Sequence, residues 1–373
     1  MFNLAGAFQQ FPGEIVVSVI VVLVSFRVLP LVYCIGSFLI ASRPASPSAL
    51  AAAVTGKHIV ISGASAGLGL STAFALAQAG AKLTLIARGT DRDAQGKSRL
   101  DHAVEACLQR TSNVGFVACD VADYAQLVAG LSNAVKERGD IDWVIANAGA
   151  SVPGFLMDQI PTDGDTSVLD YMLNVNSKGP AHLIQAVLSV AAAHSKSSVK
   201  ISGIPIDTSV KMPERIVLVG SQVCCVGFIG YTAYAASKFA LRGYTDALRS
   251  EMVPFDTQVQ LFLPGNMDTP GFLTENKTKP AITAKIEGTI STLSADSAAS
   301  VMLGGILSNR YYITSDIIGE LIRIYAHGMV ARRPNPLAEI MAMPLLTTIF
   351  YIFALAVDMD TRGYGRAERA KLR

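Results

Sequence analysis

Two long apolar runs bracket a middle region in which short apolar stretches recur at intervals. The first run, residues 15–41 (IVVSVIVVLVSFRVLPLVYCIGSFLIA), carries a single charge, Arg27. About 20 apolar residues suffice for a helix to cross a bilayer, so this run predicts a membrane anchor. It lacks the short apolar core followed by a small-residue cleavage site that marks a removed leader. Arg27 and Pro30 leave a broken or interfacial helix open as the rival, because arginine at bilayer depth must snorkel or pair. The second run, 341–357 (MAMPLLTTIFYIFALAV), is marginal in length for a span. It fits a second span, a re-entrant element or an oligomer-contact helix.

Between the runs, strand and helix patterns alternate. KHIVIS (57–62), LTLIA (83–87), VGFVAC (114–119), IDWVIA (141–146), RIVLVG (215–220) and VQLFL (259–263) read as buried strands, with helical stretches such as 68–79 between them. Continuously apolar strands separated by helices predict a parallel sheet covered on both faces. The fold class is therefore α/β, a doubly wound Rossmann sheet with an N-terminal membrane anchor and a C-terminal hydrophobic segment. The expected division is anchor 1–42, a Pro/Ser/Ala linker 43–56, a catalytic domain 57–330, and a hydrophobic segment with a basic tail, 331–373. Residues 195–214 are weakly patterned and read as a surface insertion.

Composition sharpens this picture. Hydrophobic residues make up 51% of the chain and charged residues 16%, an apolar balance that suggests membrane contact. The formal charge of +2 provides no basic field, so no nucleic-acid partner is expected. Cys34, Cys107, Cys119, Cys224 and Cys225 show neither CxxC nor zinc-type spacing. They read as free thiols in a reducing compartment, with no metal site expected. Arg43 and Lys57 follow the first apolar run, and the positive-inside rule then places the downstream domain in the cytosol. Arg362, Arg366, Arg369, Lys371 and Arg373 suit an anionic lipid surface or a solvated tail equally well.

The motif SGASAGLG (62–69) lies between a predicted strand and helix. There, Gly63, Ser65, Ala66, Gly67, Leu68 and Gly69 form a tight turn that lets backbone N–H groups and a helix N-terminus meet a pyrophosphate. Dinucleotide sites for NAD place an acidic residue at the end of the second strand. This chain has Arg88 there, with Arg92 four residues on. A guanidinium pairs with a 2′-phosphate, which argues for NADPH. Asp120 and Val121 follow the third strand, and Asn147 and Gly149 the fourth, at strand ends where the ligand crevice opens.

Tyr234 and Lys238 in YAASK fall on one helix face. Ser221 ends the preceding strand and Asn176 lies in VNSKG. Carbonyl reduction needs a hydride on carbon and a proton on oxygen. An ammonium beside a phenol favours its ionised form, so Lys238 is expected to tune Tyr234. Ser221 would hold the carbonyl oxygen, and Asn176 a water leading to Lys238.

SGASAGLG, NAG, VNSKG, Ser221 and YAASK together resemble the short-chain dehydrogenase/reductase family over about residues 57–315. The resemblance implies catalysis by Asn176, Ser221, Tyr234 and Lys238. It also implies that the segment PGNMDTPG (264–271) lies beside the nicotinamide, adding Pro264, Gly265 and Thr269 to the cofactor contacts. Ser62 stands where the family usually has threonine. The run GFIGYTAYAASKFALRGYTDALRSEM (227–252) and DTPGFLTEN (268–276) resemble the branch of that family that reduces 3-ketosphinganine to sphinganine in sphingolipid synthesis. This narrower resemblance implies a long-chain lipid ketone substrate, NADPH, and an endoplasmic-reticulum membrane location with the catalytic domain facing the cytosol. By family analogy it also implies a homo-oligomer. Residues 271–295 are expected to form a lid over the alkyl chain. Another lipid or steroid ketone, and a non-catalytic membrane scaffold of the same fold, are the alternatives.

Overall fold

The computed structural model describes residues 13–162, 167–194, 211–288, 292–328 and 333–371, which fall into two compact units. One runs from Ser42 to Gly319; the other combines the N-terminal segment to Ala41 with the chain from Glu320 onward. The larger unit is a parallel sheet of β1 (His58–Ser62), β2 (Lys82–Ala87), β3 (Val114–Ala118), β4 (Trp143–Ala146), β5 (Arg215–Val219) and β6 (Gln258–Leu263), with a further edge strand. A short separate pair, β7 (Met267–Asp268) and β8 (Leu293–Ser294), precedes that edge strand, β9 (Tyr312–Thr314).

The sheet order is β3-β2-β1-β4-β5-β6-β9. Strand order reverses beside β1, whose Ile59 pairs with Leu83 on one side and Trp143 on the other. At such a reversal the connecting helices part to opposite faces and leave a crevice beyond the strand C-termini. β1 and β4 are buried at every position, as the unbroken apolar runs require.

The seventh strand escapes the sequence pattern because only three residues pair with β6. It is fixed from the side instead. The hydroxyls of Tyr311 and Tyr312 both donate to Asp246, and Arg242 donates to the Tyr312 hydroxyl at 3.2 Å.

Residues 43–56 are not the expected linker. Pro47–Val54 is a helix whose start is capped by Ser46, and its Leu50 and Val54 are buried in the main core. The Ala/Pro/Ser composition that resembles a linker also suits a small helix packed closely, with proline in its first turn. The catalytic unit therefore begins near residue 42 and ends at 319, not at 57 and 330. Of the expected insertion, 195–210 lies outside the described residues. The remainder is a strapped approach to β5: Lys211 pairs with Asp142 at 2.9 Å, and the Pro213 carbonyl accepts from Thr257 at 2.8 Å.

The smaller unit contains the helices Gly13–Ala41 and Pro336–Lys371. The first continues through Pro30 without a break, and Arg27 donates to the Met341 carbonyl at 3.1 Å. The charge that argued for a broken helix is thus spent on a carbonyl. The second helix is 36 residues long, well beyond the 17-residue apolar run, and the basic tail through Lys371 is its continuation. It is long and apolar enough to cross a membrane. Tyr351, Ile352 and Leu355 on it are exposed, as on a surface that meets lipid.

Inside this unit lies a charged core. Arg323 donates to Glu320 through two nitrogens at 2.9 Å each and to Glu339 at 2.7 Å, while Arg333 stands 3.4 Å from Glu339. Arg323 and Glu339 are essentially inaccessible to solvent. Removing one partner of a buried ion pair strands the other charge, at a cost of about 3–5 kcal/mol. Arg323→Met is therefore expected to lower the melting temperature of the detergent-solubilised full chain clearly. An unchanged melting curve would show that the cluster is not holding this unit together.

Candidate active site

The crevice begins where β1 ends. The chain turns through Gly63 (φ +66) and Gly67 (φ +53) into the helix Gly67–Gln78. A Cβ on Gly63 would sit 2.8 Å from the Ala148 Cα, and one on Gly69 would sit 2.3 Å from the Gly63 carbonyl oxygen. Only glycine lets the turn close this tightly. The Asn147 side chain donates to the carbonyls of Ser62 and Gly63 at 3.1 and 3.2 Å. The Ser62 hydroxyl accepts from the backbone N–H groups of Asn147 and Ala148 at 3.0 and 3.1 Å. A serine hydroxyl makes the bonds a threonine would make, so the departure at Ser62 leaves the brace intact.

The helix starts at Ala66 with no side-chain cap. Its first-turn N–H groups, with Ser65, Ala66 and Leu68 around them, remain for an anion at the positive end of the helix dipole. This uncapped start beside a glycine-walled turn fits a dinucleotide pyrophosphate. Thr269 closes the other side. A Cβ on Gly67 would lie 3.1 Å from its methyl carbon, and its hydroxyl accepts from the Phe272 N–H at 3.2 Å. Pro264 and Gly265 lead into that segment. The Pro264 carbonyl accepts from Gln222 N–H at 3.1 Å, and Gly265 N–H donates to Ser315 at 2.9 Å.

At the end of β2, Arg88 is exposed over the crevice rim. Arg92 is less available than its sequence position suggests, because it donates to the Gly96 carbonyl at 2.6 Å within its own turn. Asp120 accepts from Ala122 N–H at 2.8 Å, and Val121 is buried where a Cβ on Gly179 would strike it. Gly149 is hemmed in by the next group of residues: a Cβ there would meet the Asn176 carbonyl oxygen at 3.1 Å and Lys238 Nζ at 3.7 Å.

The helix Thr232–Met252 presents Tyr234 and Lys238 one turn apart. Ser221, just past β5, accepts from Val223 N–H at 3.2 Å and is hydrogen-bonded to the Tyr234 hydroxyl. Lys238 is 5% exposed, donates to the Val219 carbonyl at 3.2 Å, and stands 5.7 Å from the centre of the Tyr234 ring. Asn176 sits on a π-helical turn, Asn174–Lys178, a local widening common at functional positions. Its amide is fully engaged. The oxygen accepts from Ala150 N–H at 2.9 Å, and the nitrogen donates to the Ala150 carbonyl at 2.9 Å and to Ser237 at 3.0 Å. Asn176 therefore ties the loop after β4 to the helix bearing Tyr234.

Electrostatics here differ from the sequence expectation. Burial pushes the Tyr234 phenol above its ordinary acidity constant; the Ser221 hydrogen bond pulls it down, while Glu275, Cys224 and Glu287 push it further up. Burial also pulls the Lys238 ammonium down, with Cys224 opposing. Desolvation is the largest influence on the phenol and favours its protonated form, the form a proton donor needs.

Two features were missed in the sequence. Tyr231, one turn before Tyr234, contacts Glu275 and Glu287, and Ser151 has a buried hydroxyl. The three-residue spacing of the two tyrosines was the only available signal. The expected lid, 271–295, contains the helices Pro270–Glu275 and Ala281–Glu287; residues 289–291 lie outside the described residues. Thr283 donates to the Ile229 carbonyl at 2.8 Å, which holds the second helix against the approach to Tyr234.

The chain is similar to known proteins over most of its length. The sequence model of the short chain dehydrogenase family matches residues 57–204 and 209–280. The chain is 30% identical over 299 residues to the 3-dehydrosphinganine reductase TSC10B of Arabidopsis thaliana, covering 80% of this chain and 82% of that one. It is 28% identical to the 3-ketodihydrosphingosine reductase of Bos taurus, covering 85% and 88%. Among solved structures, a short-chain dehydrogenase from Sphingobium yanoikuyae in complex with NADPH superposes with a TM-score of 0.53 at 21% identity, covering 70% of this chain and 88% of that one. Levodione reductase gives 0.52 at 23% identity, covering 70% and 97%. At these identities the structures establish the fold.

The Gly69 contact provides a direct test of the crevice. Gly69→Ala forces a methyl group into the Gly63 carbonyl and should weaken dinucleotide binding by more than about tenfold, since each 1.4 kcal/mol of strain is tenfold. Fluorescence titration with the reduced cofactor would measure it, and wild-type affinity would refute the cradle assignment.

Proposed function

Because the chain belongs to the short-chain dehydrogenase family, we propose that it reduces 3-ketosphinganine, a long-chain 2-amino-1-hydroxy-3-ketone, to sphinganine with NADPH. The observation that carries this reading is the Tyr234 phenol held between Ser221 and the buried Lys238 at the mouth of the glycine turn. The 3-dehydrosphinganine and 3-ketodihydrosphingosine reductases it resembles over most of both chains support the substrate.

In this reading the crevice binds the dinucleotide through the first-turn N–H groups of the Gly67 helix, with Thr269 and the Pro264–Gly265 segment on the nicotinamide side. A reduced nicotinamide bound there would supply the hydride for the carbonyl carbon. Ser221 donates a hydrogen bond to the ketone oxygen and stabilises the charge growing on it. The Tyr234 hydroxyl gives its proton to that oxygen. Lys238, one turn on, stabilises the phenolate left behind until a proton returns. Asn176 keeps the Tyr234 helix and the loop after β4 in register, so that donor and carbonyl meet at a fixed distance. Arg88 takes the 2′-phosphate that distinguishes NADPH from NADH.

A membrane location suits the substrate, because each methylene of its tail favours an apolar environment by about 0.8 kcal/mol. The long apolar helix Pro336–Lys371 points to membrane association of the chain. The endoplasmic reticulum, with the catalytic unit on the cytosolic side, is where a sphingolipid precursor and NADPH are both at hand.

Membrane fractions containing the chain are expected to reduce 3-ketosphinganine faster with NADPH than with NADH, and faster than a steroid ketone. Tyr234→Phe should lower kcat by about 10²–10⁴, the range of general acid catalysis, and Arg88→Ala should narrow the preference for NADPH. A Tyr234→Phe enzyme of wild-type rate would end the mechanism. Deleting residues 1–42 should reduce kcat/KM on long-chain ketones more than on short, water-soluble ones; equal losses would remove the anchor from substrate delivery.

A further inference from the structure

The substrate side of the crevice holds a charge arrangement that ketone reduction does not itself require. Tyr231 is buried and its hydroxyl lies within hydrogen-bond distance of both Glu275 and Glu287, the latter at 2.7 Å, so that its one proton is shared between the two carboxylates. Lys279 bridges the same two carboxylates, 3.1 Å from Glu275 and 2.8 Å from Glu287, with its side chain 4% exposed. Two carboxylates share one ammonium, so these four side chains together carry one surplus negative charge. They adjoin the reacting group: the Tyr231 and Tyr234 ring centres are 5.6 Å apart. Glu275 and Glu287 both act on the Tyr234 phenol, in the direction that opposes its ionisation. A half-compensated charge cluster largely shielded from water, with the Glu275 and Glu287 side chains 16% and 17% exposed, is costly, and here it also resists the phenolate that Tyr234 becomes on giving up its proton. A cation seated between the pair and the ketone removes both penalties.

An independent observation marks the same side. The Ser151 hydroxyl is buried with no hydrogen-bond partner. Ser151 follows Ala150, whose backbone Asn176 holds, and the chain then bonds Gly154 N–H to the Gly230 carbonyl at 2.9 Å, immediately before Tyr231. The loop from Ser151 to Gly154 thus links the residue held by Asn176 to the start of the Tyr231 cluster. A buried hydroxyl without a partner fits a polar group on a ligand.

Building on the function proposed above, we propose that Glu275 and Glu287 recognise a protonated amine on the carbon next to the ketone, with Ser151 taking the neighbouring hydroxyl. The amine, and not only the ketone and the chain, is then read by named side chains of this protein. With the ketone oxygen on Ser221 and Tyr234, the adjacent carbon carries its ammonium to the side of the crevice where the carboxylate pair lies. Tyr231 and Lys279 are positioning residues, which fix the two carboxylates and leave one charge for the ligand.

The test uses the full chain in its membrane fraction and two ketones: a long-chain 2-amino-1-hydroxy-3-ketone and the same molecule without the amine. The readout is the ratio of kcat/KM between them. Wild type is expected to favour the amine by about tenfold or more, and Glu275→Gln or Glu287→Gln to cut that ratio about tenfold, mainly through KM, as loss of a desolvated charge partner does. Glutamine keeps an oxygen to accept from Tyr231, so the change removes charge and preserves shape. A variant ratio equal to wild type, whatever the total activity, overturns the proposal. So does a wild-type ratio near one, which requires no variant to fold. A wild type that reduces neither ketone overturns the functional reading on which the proposal rests.

Discussion

The amino group of Lys238 lies where water barely reaches it, and the desolvation it shares with Tyr234 is the constraint on which the rest of the site depends. Burial pulls the group toward neutrality, and the Val219 carbonyl at 3.2 Å gives its nitrogen an acceptor. The same burial keeps the phenol one turn away protonated. The two effects have one cause, the desolvation of the crevice floor, which disfavours the charged form of the phenol and of the amino group alike.

Holding that pair requires elements far apart in the sequence to meet within hydrogen-bond distance. Asn176 joins Ala150 to Ser237, Ser221 joins the end of β5 to Tyr234, and Asn147 joins β1 to β4 through Ser62 and Gly63. Each of these residues lies at or just beyond the carboxyl end of a strand or on the helix facing it. The reversal of strand order beside β1 opens the space they line. Glycine at 63, 67 and 69 then lets the backbone approach where any side chain would collide.

The smaller unit solves a different problem with the same economy. Its helices expose apolar side chains over much of their length, yet Arg323, Glu320, Glu339 and Arg333 form a saturated ionic core. Away from water, a charge is tolerated when every valence of it is answered, and Arg27 follows the same rule by donating to the Met341 carbonyl. Charges that argue against a membrane helix in a hydropathy reading are thus compatible with one once their partners are seen.

The sequence by itself determined the parallel sheet, the glycine turn and the spacing of Tyr234 and Lys238, because periodicity, close backbone approach and helical pitch are local properties. It did not reveal that Pro47–Val54 packs into the core, since a short Ala/Pro/Ser stretch has the same composition as a linker. Three-residue β9 was invisible for want of length, and the π-helical turn at Asn176 has no signature of its own. Only the tertiary structure decided which charges face one another. That brought Glu275 and Glu287 to Tyr231, turned Arg92 onto Gly96 and made burial the largest influence on Tyr234. Pairing and desolvation depend on distances through space, and residue order along the chain leaves those distances open.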